Sequence, residues 1–290
     1  MKQMRSATRP AKPTRRLEVF GNDRPVSILQ FGKDEEGRGW NKLRLPEAVE
    51  TLKMEGVRTL LIPNIPVGGE DSHEIRRRRH FHPDAKYVSD PKLCVRNGKV
   101  AGGVIIGNQG EAVGVLSTQP IAVMRFRSGK VVVIPCNEHT LLNREVILGK
   151  QDGCRFVSVI HAAMHSVPPW ERKGVRVFVT FRNSYANCRH YWGDAVDGAY
   201  NRAMTEYVVK HFGKDCFANE PIDEGLLRLD TLIYHQCGKW GVPSSLIQFD
   251  GVDLSEPNLL EGKFGEETPR SKWCCGLDGL GHLNFAVVAI

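Results

Sequence analysis

The chain has 290 residues, 41% of them hydrophobic and 25% charged, which suits one large globular domain or two small ones and excludes collagen, coiled coil and wholesale disorder. Lys and Arg number 40 against 33 Asp and Glu, a net charge of +7. The excess is local, in Lys2, Arg5, Arg9, Lys12, Arg15 and Arg16 at the start and in the run Arg76, Arg77, Arg78, Arg79. The body is then near neutral, and no motif interleaves aromatics with basic residues, so nucleic acid is not expected as a partner.

Residues 1 to about 16 combine those basic side chains with Pro10 and Pro13 and offer little apolar surface. They read as a disordered tail ahead of a single domain over 17–290. The longest apolar runs, Val131 to Ile134 and Phe285 to Ile290, fall well short of the roughly 20 residues that a membrane helix needs. Without the apolar segment of a secretory signal, the eight cysteines are expected as thiols or metal ligands in a reducing cytoplasm. No Cys-x-x-Cys pair occurs, which removes zinc ribbons and thioredoxin-type sites.

In chain order, Pro46 to Glu55 predicts a short helix that Gly56 stops, followed by a strand over Val57 to Ile62. Pro63 to Pro91, with Gly68, Gly69, four arginines and three histidines, reads as a long loop of the kind that carries function. Strands are predicted at Val100 to Ile106, Ala112 to Leu116, Ile121 to Phe126 and Val131 to Ile134, with Ser128 and Gly129 as the hairpin turn between the last two. A further strand is expected over Phe156 to Ile160 and another over Val175 to Phe181. Helical spacing marks Asp194 to Phe212 and Asp230 to Trp240, each closed by a glycine, and strands follow at Ser245 to Phe249 and Asn284 to Ile290. Strands outnumber helices and do not alternate with them one for one, so the expected class is α+β, a mixed sandwich.

Two predicted strand ends carry chemistry. Val131 to Pro135 delivers Cys136, and Phe156 to Ile160 delivers His161, with His165 four residues on. Thiolate and imidazole are zinc donors, and the same pair also suits a nucleophile with its base. A metalloprotease helix is excluded, because Ala162 stands where its glutamate belongs.

The succession Cys136, Leu141, Leu142 and then His161-Ala162-Ala163-Met164-His165 resembles the laccase-domain family, also called YfiH-type or multicopper polyphenol oxidase. Its members show Ala-Asp-Cys-x-Pro-Val-Leu-Leu followed by His-Ala-Gly-Trp-Arg-Gly. Downstream, Phe181 to Tyr191, then Leu229-Asp230, Gln236, Trp240-Gly241-Val242 and Cys274 or Cys275 keep the family's order. The similarity spans roughly residues 111 to 290, and it departs from the family at Pro135, which replaces the aspartate, and at Ala163, Met164 and His165.

The resemblance implies a layered α/β/β/α sandwich with mixed sheets. It also implies one zinc ion, or copper under the older polyphenol oxidase name, and action on purine nucleosides by phosphorolysis or deamination. Cys136 and His161 then match ligand positions and carry the catalysis, with His80 or His82, or else His73, as the third ligand. Arg77 and Arg79 would hold phosphate, since guanidinium forks suit it, and His165 would face the substrate. Two alternatives remain open on the residues alone: a metal-free Cys136–His161 deamidase or hydrolase on the same fold, and an inactive binding protein with a basic surface.

Overall fold

The computed structural model describes residues 10–13, 15–21, 25–31, 45–61, 104–117, 121–136, 141–149, 156–165, 167–180, 198–217, 227–250 and 284–290. Its strands are β1 (Arg15–Val19), β2 (Val26–Phe31), β3 (Thr59–Leu61), β4 (Val104–Ile106), β5 (Glu111–Ser117), β6 (Ile121–Arg125), β7 (Val131–Pro135), β8 (Arg176–Thr180), β9 (Ile247–Phe249) and β10 (Asn284–Ala289). The α-helices are α1 (Leu45–Met54), α2 (Arg144–Ile147), α3 (Val159–His165), α4 (Pro169–Arg172), α5 (Gly198–His211) and α6 (Leu229–Lys239). Two short 3-10 turns occupy Lys214–Cys216 and Ser244–Leu246.

Two five-stranded sheets form, in the orders β1-β2-β10-β5-β3 and β4-β7-β6-β8-β9. Both are mixed: β3 runs parallel to β5 and β9 parallel to β8, while the other pairs are antiparallel. The apolar strand runs follow from burial on both faces. In β6 and β7, Ile121, Val123, Val131 and Val133 enter the cluster between the sheets with Val26 and Ile28 of β2 and Val288 of β10. Their neighbours Ala122, Met124, Val132 and Ile134 point the other way, into the cluster beneath α3, α5 and α6. On the outer face of the first sheet, Leu29, Phe31 and Val287 meet Ala48, Val49 and Leu52 of α1. Helix, sheet, sheet and helix therefore stack as four layers, the α+β sandwich that the sequence predicts.

Three expectations change. The apolar run Phe156 to Ile160 is not a strand, because its last two residues open α3. Ser158 caps that helix, accepting the His161 amide at 3.0 Å through its hydroxyl and the Ala162 amide at 3.1 Å through its carbonyl. The basic tail does not extend to residue 16, since Arg15 and Arg16 begin β1. Ala11 is also docked, its amide donating to the Glu47 carbonyl at 3.0 Å and its carbonyl accepting from Thr51. The two guanidinium groups find carboxylates far along the chain, Arg15 at Asp250 (2.7 Å from Nη2 to Oδ1) and Arg16 at Glu55. Strand β2, fully paired between β1 and β10, is an addition to the predicted elements. The loop expected over Pro63 to Pro91 lies outside the described residues.

Candidate functional site

A pocket of about 240 Å³ opens between α3, the end of α5 and the last turn of α6, walled by Ser158, His161, Phe212, Gln236, Lys239 and Trp240. Its volume suits a ligand at or below the small end of the roughly 300–1,000 Å³ range of drug-sized sites. Helix α6 and its C-cap residue supply three of the walls because Gln236, Lys239 and Trp240 fall at i, i+3 and i+4, on one face. Gly241, at φ 74°, then turns the chain away, in the backbone region that favours glycine.

His161 is half-buried on the pocket wall. Its ring meets Trp240 edge-on at 5.0 Å and Phe156 at 5.5 Å. Burial, then the charges of His165 and Lys239, push its pKa below the ordinary histidine value, so the imidazole is neutral at pH 7. His165 is exposed one turn on, with its ring 5.3 Å from Phe156. The Arg172 guanidinium also lies over Trp240, 5.1 Å from its ring centre. The Lys239 ammonium lies 4.6 Å from the Phe212 ring. Lys239 thus sets a cation over an aromatic face within the pocket wall.

Gln236 carries the pocket's clearest unspent polar group. The residue is 4% exposed, its Nε2 donates to the Leu141 carbonyl at 2.7 Å, and its Oε1 is buried with no hydrogen-bond partner. Such an acceptor costs about 1–3 kcal/mol unless something donates to it.

Cys136 directly follows β7 and is fully buried. Its thiol donates to the Ile134 carbonyl at 3.4 Å, and burial, with Cys237 nearby, pushes its pKa well up. A nucleophilic cysteine needs an accessible thiolate, so this environment works against the metal-free dyad. Strand β7 packs against α3, which brings the elements of Cys136 and His161 together; Cys136 belongs to the sealed core and His161 to the pocket wall. His73, Arg77, Arg79, His80 and His82 lie outside the described residues.

Ser158, Lys239 and Trp240 are additions to the expected site residues, although the i, i+3, i+4 spacing from Gln236 was a signal for two of them. A further addition is a group that could hold a metal ion: Asp215, Cys216 and His235, whose donor atoms all lie within 4.8 Å of one another. No helix among the described residues is long and apolar enough to cross a membrane.

No protein-family model matches the chain, and no curated protein matches it. Solved structures do. The chain is similar to the hypothetical protein YfiH of Bacillus licheniformis, with a TM-score of 0.51 and 10% identity over 92% of each chain. A DUF152 protein of Neisseria meningitidis aligns with a TM-score of 0.52 and 10% identity, over 95% of this chain and 98% of that one. The architecture is therefore the YfiH-type α+β fold, and at this identity the likeness speaks for the fold alone.

Proposed function

We propose that the chain is a zinc-dependent enzyme acting on purine nucleosides, by phosphorolysis or deamination, in the pocket beside His161. The observation that carries this reading is a small pocket walled by a neutral imidazole, by aromatic rings and by Gln236, whose buried oxygen has no partner. Trp240 and Phe212 offer apolar faces to a flat heterocycle. Gln236 Oε1 lies beneath the pocket surface, and a ring or exocyclic N–H that reaches it on binding would relieve the cost of its burial. Lys239 and Arg172, and in the same proposal Arg77 and Arg79, supply positive charge for phosphate.

The donor types at Cys136 and His161 fit zinc. His161 is already neutral, the form that coordinates, and a thiol on a metal is deprotonated outright, so the raised pKa of Cys136 is overcome by the ion itself. An upstream histidine, His80 or His82, completes the proposed set. Zinc so held supplies Lewis-acid chemistry toward a substrate oxygen or a water molecule. The raised pKa of Cys136 weighs against the dyad, which needs a free thiolate, and less against zinc, which displaces the thiol proton as it binds.

Incubating zinc-loaded protein with inosine or adenosine, with and without phosphate, separates the chemistries. Phosphate-dependent release of base marks phosphorolysis and release of ammonia marks deamination. Neither product, from protein that holds zinc stoichiometrically, sinks the proposed activity.

A further inference from the structure

Asp215, Cys216 and His235 lie apart from the pocket's walls, and they come from two elements. Asp215 and Cys216 sit in the 3-10 turn after α5, and His235 on α6, directly before Gln236. Their donor atoms, one oxygen, one sulfur and one nitrogen, all fall within 4.8 Å of one another. His235 Nε2 is 2.7 Å from Asp215 Oδ2.

The backbone builds this arrangement before any ligand arrives. Gly213 holds φ at 111°, and a Cβ at that position would lie 2.5 Å from Asp215 Oδ1. The carboxylate therefore occupies space that only glycine leaves open. On the other side, the Cys216 carbonyl accepts the Arg228 amide at 2.7 Å, and Phe217 bridges to Leu227, which fixes the turn against the start of α6. Cys216 is buried, His235 half-buried and Asp215 exposed, so the group runs from the core to the surface. His235 also borders a second cavity, of about 290 Å³, beside His211 and Tyr234.

We propose that Asp215, Cys216 and His235 form a second metal site, which takes a zinc-type divalent cation and clamps the turn after α5 to α6. The donor set selects the ion: sulfur with imidazole favours a borderline-soft metal over calcium or magnesium, which want oxygens. Thiolate and carboxylate together neutralise its two charges. Zinc bonds of about 2.0–2.3 Å at tetrahedral angles put donors roughly 3.3–3.8 Å apart, inside the spacing seen here. Binding only has to open the His235–Asp215 contact by about half an ångström and displace the Cys216 proton, which leaves to solvent. The fourth position is left for water. Because Gln236 follows His235, the clamp holds the helix that walls the pocket.

Cobalt(II), a spectroscopic stand-in for zinc, tests this on the full chain after chelation. Titration of wild-type protein should give the thiolate-to-cobalt charge-transfer band and the visible bands of tetrahedral cobalt. Loss of an outer ligand partner weakens metal sites by about 10–100-fold, so His235→Ala and Asp215→Asn, both outside the sealed core, should weaken one cobalt by at least tenfold. Cys216→Ser should remove that cobalt's charge-transfer band. His161→Ala should leave it, which separates this site from the one proposed at Cys136. Wild-type protein without a charge-transfer band overturns the assignment. So does a band lost in His161→Ala and intact in His235→Ala, because that cobalt would sit at Cys136.

Discussion

Gln236→Leu separates what the pocket costs the fold from what it does for a ligand. In the unliganded protein Gln236 makes one hydrogen bond, to the Leu141 carbonyl, and leaves Oε1 buried without a donor. Leucine of similar size removes both. The lost bond strands the Leu141 carbonyl, at about 1–3 kcal/mol, and the lost Oε1 relieves a penalty of the same order. The two cancel to within about 1 kcal/mol, so urea unfolding should place the variant close to wild type. Binding should behave otherwise: a nucleobase N–H that met Oε1 now meets a methyl group, and losing about 1.4–3 kcal/mol weakens inosine roughly 10–100-fold by calorimetry. Gln236→Glu gives the opposite pattern, since a carboxylate facing the Leu141 carbonyl removes the donor and buries charge, which should cost about 3 kcal/mol or more of stability. A Gln236→Leu protein destabilised by more than about 2 kcal/mol with unchanged inosine affinity refutes the reasoning, because Oε1 would then have a partner in solution already.

Other expectations follow from single contacts. Arg15→Ala strips the buried Asp250 carboxylate of its guanidinium and should cost about 2 kcal/mol in denaturant unfolding; no loss would mean that β1 is not anchored there. The Cys237 thiol is pushed from 9.0 up to about 12 by burial, and Cys136 is raised as well. A raised pKa keeps its stabilisation below the unfolded value and loses it above, so stability should fall as pH climbs from about 9 by up to about 1.4 kcal/mol per pH unit for each thiol. Cys237→Ala should flatten that slope, and an unchanged slope counts against the assignment. His161 is lowered, which reverses the sign: in chelated protein, stability should drop as pH falls below about 6.5, less so in His161→Phe. Trp240→Ala should weaken inosine at least tenfold and cost about 1 kcal/mol or more of stability, because the ring also packs on the core and meets His161 and Arg172; equal affinity would remove the aromatic wall from the account.

The layers were legible because the central strands carry apolar residues on both faces, and Ile121 to Arg125 and Val131 to Pro135 have one arrangement that buries them. Strand β1 was not, because Arg15 and Arg16 look like a solvated tail until their partners Asp250 and Glu55, 235 and 39 residues away, are in place. Phe156 to Ile160 satisfies strand and buried-helix patterns equally, and the Ser158 cap decides between them. At the site, Cys136 and His161 stood out by residue type. Gln236 matters through a missing partner, which no sequence pattern encodes. Asp215 and His235 meet across 20 positions only because α5 and α6 fold back on each other, and Gly213 read simply as a helix stop.

Crystals grown with zinc and inosine, measured across the zinc absorption edge, put the central claim to its most direct test. The account predicts an anomalous peak in bonding range of a His161 ring nitrogen and the Cys136 sulfur, with the purine against Trp240 and an N–H directed at Gln236 Oε1. No zinc beside His161, or a nucleoside bound away from Trp240 and Gln236, would contradict it.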